Sequence, residues 1–193
     1  ASMKSVGEVM SIGGNFQESL QKGLRSLEND LDGFNELTEK KYSQEEIKQK
    51  LSVTSPDRIL LIAEAFRKGL NSKEICSITL FDSWFIEQIK EIIEWEELIK
   101  KDGLPKDRKN LKLMKSLGFS DSRLASLTKN KESDVRKLRE KLNVRPVFKK
   151  VDTCAAEFQT NTDYMYSTYV GDIFSDEEYC ESLPSDKSKV IIL

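Results

Sequence analysis

Histidine is absent from all 193 residues. No imidazole is therefore available within the chain for Ser-His-Asp or Cys-His catalysis, or for ligating zinc or haem. The three cysteines, Cys76, Cys154 and Cys180, stand far apart with no Cys-x-x-Cys pair. That pattern fits small packing residues in a reducing cytosol better than a disulfide framework. Carboxylates gather at Glu94, Glu96 and Glu97, and again at Asp176, Glu177 and Glu178. Neither group has EF-hand spacing, so both read as solvated faces rather than cation sites. Gly13-Gly14-Asn15 offers free backbone N–H groups to an anion ahead of a predicted helix. It lacks the Walker lysine and the three-glycine dinucleotide fingerprint, so a tight turn and a helix cap are expected there. No catalytic, cofactor-binding or metal-binding residue emerges from residue chemistry alone.

Charge is distributed unevenly. The net charge is −2, yet Pro105–Lys150 carries 15 basic and 5 acidic residues, and the remainder is correspondingly acidic. Two short predicted helices in the basic stretch, joined by a turn, resemble a helix-turn-helix, with Lys131, Arg136, Lys137, Arg139 and Lys141 available to phosphates. Nucleic-acid binding is thus the alternative reading; a solvated or acid-paired helix face is the plainer one. Hydrophobic residues make up 38% and charged residues 33%, a soluble but not disordered composition. The longest apolar run, Ile59–Ala63, is far short of the roughly 20 residues of a membrane span. The N-terminus has no apolar signal core, and a cytoplasmic chain is expected.

The elements that must position these residues are mostly short helices. Met3–Ile12 reads as a short strand or extended lead-in. Asn15 then caps a helix with Phe16, Leu20, Leu24 and Leu27 along one stripe. Ser43 with Glu46 and Asn71 with Glu74 fit capping boxes. Ser55-Pro56 places a hydroxyl before a proline at a first helical position, ahead of Ile59, Ile62, Ala63 and Phe66, and Gly69 stops that helix. The longest helix runs from about Asp82 to Lys100 and is expected to bury Trp84, Phe85, Ile89, Ile92, Ile93 and Ile99 before Gly103 and Pro105 end it. Helices at Lys109–Leu117, Ser120–Leu127 and Ser133–Leu142 follow. Beyond Leu142 the chain turns extended, with Val144–Phe148, then Tyr164, Tyr166, Thr168 and Tyr169. Lys189–Leu193 reads as a buried parallel strand with nothing to pair with, so a longer parent chain is expected. The fold class is mainly α: an all-α multi-helix domain with short extended or β segments at both ends.

Two stretches carry a family resemblance. Lys4–Gly13 with Phe16–Lys22 resembles the end of the first ATP-grasp unit of carbamoyl phosphate synthetase large subunits of the bacterial type. Arg145–Phe158 with Tyr164–Tyr169 resembles the entry to that subunit's second half, and Asp57–Arg67 and Asp82–Phe85 are similar to its helical middle. Gly14 departs from the pattern, since relatives commonly carry arginine there. The resemblance implies three segments: residues 1–29 from the first ATP-grasp unit, 30–142 as an all-α oligomerisation domain, and 143–193 leading into the second unit. It implies a parent ligase that makes carbamoyl phosphate from bicarbonate, glutamine-derived ammonia and two ATP, for arginine and pyrimidine biosynthesis. The parent's ATP and magnesium or manganese would sit outside this span, leaving the chain itself structural and inactive. Implied partners are further copies of the chain, a glutaminase small subunit and the flanking ATP-grasp units, with no nucleic acid and no membrane. Trp84, Phe85, Ile92 and Trp95 are the candidates for self-association. Glu8, Ala155 and Ala156 are the candidates for lining the parent's intermediate channel.

Overall fold

The computed structural model describes residues 8–27, 29–37, 42–154, 157–158, 162, 164–171, 179–183, 185–188 and 190. The chain divides into two compact units, Ala1–Val144 and Arg145–Leu193. Among the described residues the first holds eight helices: α1 (Phe16–Arg25), α2 (Gln44–Leu51), α3 (Arg58–Arg67), α4 (Ser72–Thr79), α5 (Ser83–Asp102), α6 (Arg108–Ser116), α7 (Asp121–Thr128) and α8 (Glu132–Lys141). The second holds two antiparallel strands, β1 (Val147–Lys150) and β2 (Met165–Thr168), with Val147 opposite Thr168. The chain is mainly α, as its periodicity predicts. Glu8–Gly13 forms no strand. Val190 is exposed outside any strand, and the rest of the expected terminal strand lies outside the described residues.

Helix boundaries follow their local signals. Asn15, Ser43, Asn71, Asp82, Asp107 and Ser120 each accept a backbone N–H from the first turn of the following helix. Both capping boxes form, at Ser43/Glu46 and Asn71/Glu74. Gly69, Gly103 and Gly118 take the positive φ values that end helices. One start differs from expectation. Ser55-Pro56 makes a turn in which the Arg58 N–H reaches the Ser55 carbonyl at 3.2 Å, and α3 begins two residues later with Asp57 as its N-cap.

Helix α5 is the organising element: it packs against α1, α3, α4 and α7. Its stripe of Ile86, Ile89, Ile92, Ile93 and Ile99 is buried, as are Ile47, Leu51, Ile62, Ile75, Leu111 and Leu124 from its neighbours. Each such side chain contributes about 1.5–3 kcal/mol of transfer free energy. Trp84 and Phe85 depart from expectation, remaining 51% and 45% exposed. At 20 residues α5 is about 30 Å long, whereas helices of 8–10 residues span about 12–15 Å. In its first turn Ile86 is fully buried, while Trp84 and Phe85 stand at the rim.

Glu96 corrects a second expectation. It is not on a solvated face with Glu94 and Glu97 but fully buried. Arg67 Nη2 lies 2.6 Å from Glu96 Oε2, and Arg123 donates from Nε to Oε1 at 2.7 Å. Both arginines also donate to the Phe34 carbonyl, which fastens the 32–36 loop to α3, α5 and α7. Burial pushes the Glu96 carboxyl up. Two permanently charged guanidiniums within 2.7 Å oppose that rise and favour the carboxylate. Glu36 stands at the rim, 3.0 Å from Lys100 and 3.3 Å from Arg123. Burial opposes its ionisation, but Arg123 and the Lys100 hydrogen bond prevail and hold its pKa at about 2.

Candidate functional site

Three aromatic rings meet on the surface of the helical unit. Phe16, the first residue of α1, stands edge-on to Trp84 with centroids 5.1 Å apart and to Phe85 at 5.4 Å. Trp84 and Phe85 are themselves perpendicular at 5.0 Å. Edge-to-face pairs at this spacing add about 0.5–1.5 kcal/mol each beyond their buried area. They border a groove of about 370 Å³ lined by Phe16, Leu20, Ile59, Leu80, Phe81 and Ile89. Arg58 stacks over Phe81 at 5.1 Å and donates to the carbonyls of Leu51 and Thr79, closing one wall.

Leu80 is the unusual member. It caps α4 in the left-handed conformation, φ 59°, with 87% of its surface exposed. A leucine in that region costs roughly 1–2 kcal/mol, which glycine would avoid. Its side chain is thus both strained and solvated.

Helix α1 reaches this surface rotated from its predicted stripe. Gln17, Glu18 and Gln21 are buried together with Leu24, the one stripe residue fully inward, whereas Phe16 and Leu20 are only half-buried and Leu27 is exposed. Gln17 donates to both Gln88 and Glu91 of α5 at 2.7 Å. The Gly13-Gly14 turn offers no open anion cradle, because the Gly14 N–H donates to Glu18 Oε2 at 2.6 Å.

The helical unit thus presents an aromatic face at its surface, with Trp84 and Phe85 about half exposed. The sequence model of the family described as carbamoyl-phosphate synthetase large chain, oligomerisation domain, matches residues 8–143. The chain belongs to this family. It is 48% identical to the carbamoyl phosphate synthase large chain of Brucella melitensis over 195 residues. The large chains of Rhizobium meliloti and Neisseria meningitidis serogroup B are 46% and 48% identical. Each alignment covers 99% of this chain, which spans about 17% of the length of these relatives.

Against this oligomerisation-domain background the predicted site residues separate. Trp84 and Phe85 lie together on the aromatic face, and Trp95 is half-buried further along α5. Ile92 is fully buried and presents no surface to a partner. The stripe reading placed it inward and the association reading outward, and packing against the neighbouring helices settled it inward. Glu8 is exposed; Ala155 and Ala156 lie outside the described residues. Nothing in the geometry supports the helix-turn-helix reading. Arg123 of α7 is turned into the buried cluster, Arg139 of α8 pairs with Asp121 at 3.0 Å, and Arg136 pairs with Glu132 at 2.6 Å. Among the described residues no group of three or more cysteine and carboxylate side chains is placed to hold a metal. Among them, too, no helix is long and apolar enough to cross a membrane. Phe16 and Leu80 escaped sequence reasoning. Leu80, an apolar residue where a helix stops without glycine, was the one legible signal.

Proposed function

We propose that this chain is the oligomerisation and connection region of a carbamoyl phosphate synthase large chain, and that its aromatic face seats a second copy. The parent makes carbamoyl phosphate from bicarbonate, glutamine-derived ammonia and two ATP in the cytoplasm. ATP and its magnesium or manganese bind in the flanking ATP-grasp units, and a glutaminase subunit supplies the ammonia. The chain alone turns over nothing. Glu8 borders the route of the intermediates in the intact enzyme.

The observation that carries the association reading is the cluster of Phe16, Leu80, Trp84 and Phe85, apolar groups left in water on a folded surface. Contacts of this type, with large aromatics at the centre, dominate protein interfaces. Light scattering of the 193-residue chain tests it. Concentration-dependent association is expected, weakened at least tenfold by Trp84→Ala or Phe85→Ala without loss of helicity. A strict monomer at high concentration overturns it. Measurable ATP hydrolysis by the chain alone would overturn the structural role.

A further inference from the structure

Helix α6 ends with its hydrogen bonds accounted for in an unusual way. Leu117 is its C-cap and Gly118, φ 95°, follows. The Gly118 N–H reaches the Lys115 carbonyl at 3.0 Å and the Phe119 N–H reaches Met114 at 3.4 Å, the paired bonds of a Schellman motif. That leaves the next three carbonyls, of Ser116, Leu117 and Gly118, without backbone donors. Three side chains of the α1 segment, about a hundred residues earlier, take them one each. Asn15 Nδ2 donates to Ser116 at 2.9 Å, Gln21 Nε2 to Leu117 at 2.8 Å, and Arg25 Nη1 to Gly118 at 2.7 Å.

The fit is close on both sides. A Cβ at Gly118 would stand 2.8 Å from Glu18 Cα, so only glycine lets α1 approach this far. Asn15 works twice, since its Oδ1 accepts the Glu18 N–H that caps α1 itself at 2.8 Å. The positive end of α1 is thereby brought beside the negative end of α6, the favourable sense for two helix dipoles. Satisfying three carbonyls requires the polar face of α1 to point inward. The same rotation turns Phe16 and Leu20 outward, towards Trp84 and Phe85.

We infer that Asn15, Gln21 and Arg25 are positioning residues of the association face: by capping α6 in trans they set the rotation of α1 and so hold Phe16 against Trp84 and Phe85. None of the three touches the aromatic groove. The link to association rests on the proposed function above; the clamp itself does not.

Asn15→Asp removes the donor to Ser116 while keeping the acceptor that caps α1, and Arg25→Met removes the donor to Gly118 while keeping an apolar stem. The double variant is made in the 193-residue chain with Trp95→Phe, so that Trp84 is the sole tryptophan. Expected results are at least tenfold faster hydrogen exchange of the α1 amides with α3 and α4 amides unchanged. Relative to Trp95→Phe alone, iodide quenching of Trp84 should rise and self-association should weaken several-fold, although Phe16, Leu80, Trp84 and Phe85 are unchanged. Arg25→Lys, which retains a donor, should keep wild-type exchange and quenching. Unchanged α1 protection, or equal loosening of every helix, overturns the inference. A strictly monomeric wild type would overturn the association reading alone, because exchange and Trp84 quenching would still decide the clamp.

Discussion

Glu96→Gln is the most searching single substitution, because it keeps shape and removes one charge. Glu96 is fully buried between Arg67 and Arg123, with bonds of 2.6 and 2.7 Å. In the variant two buried guanidiniums face a neutral amide, and the amide NH₂ must point at one of them. Removing one partner of a buried ion pair costs about 3–5 kcal/mol, and with Glu64 still 2.6 Å from Arg67 and Glu36 3.3 Å from Arg123 the lower end is expected. The 32–36 loop loosens as well, since the Phe34 carbonyl is held by the same two guanidiniums. For a unit of this size the loss is worth roughly 10 °C or more in Tm. Urea titration followed by far-UV circular dichroism gives the free energy directly. Glu97→Gln is the internal control: the same chemical change one residue on, at an exposed carboxylate bonded to Lys100 at 2.9 Å, is expected to cost no more than about 0.5 kcal/mol. A Glu96→Gln cost below about 1 kcal/mol at pH 7 would mean that Glu96 is already protonated in the fold, and the ion-cluster reasoning would be wrong.

Gly118→Ala is expected to destabilise by well over 1 kcal/mol, because it combines a positive φ with a Cβ 2.8 Å from Glu18 Cα; denaturant melts against Gly103→Ala, which meets no atom within 4 Å, separate sterics from strain. Leu80→Asn should leave the melting temperature of the monomer unchanged or raise it, since asparagine tolerates the left-handed conformation, while reducing association measured by sedimentation. Acid should weaken the unit through Glu36. Its pKa is held at about 2 against an unfolded value of 4.5, so its stabilisation is present above pH 4.5 and lost as pH falls towards 2. After discounting for solvent screening that amounts to about 1 kcal/mol, and Glu36→Gln should flatten the pH dependence of stability in this window.

Helix boundaries were legible because capping signals act over three or four residues. Ser43 with Glu46 and Asn71 with Glu74 meet within one turn, and Gly69, Gly103 and Gly118 need only their own φ. Family membership was legible for a related reason: the stretches around Lys4–Lys22 and Arg145–Tyr169 can be matched residue by residue with no knowledge of packing. Even the burial of Glu96 left a trace. It lies three and four residues after Ile93 and Ile92 and three before Ile99, on the apolar stripe of α5.

Tertiary structure decided whatever depends on partners distant in sequence. Glu96 can be buried as an ion only because Arg67 and Arg123 arrive from other helices, and nothing local to α5 announces them. Trp84 and Phe85 look like core residues by periodicity, yet in that turn only Ile86 is buried, and the two rings meet Phe16 at the surface. The rotation of α1 is the clearest case. Its hydrophobic stripe favours Phe16 and Leu20 inward, but the carbonyls of residues 116–118 need donors, and Asn15, Gln21 and Arg25 supply them. Leaving one buried and two part-buried carbonyls unpaired would cost more than leaving Phe16 and Leu20 half in water, so hydrogen-bond demand sets the rotation there while Leu24 stays buried.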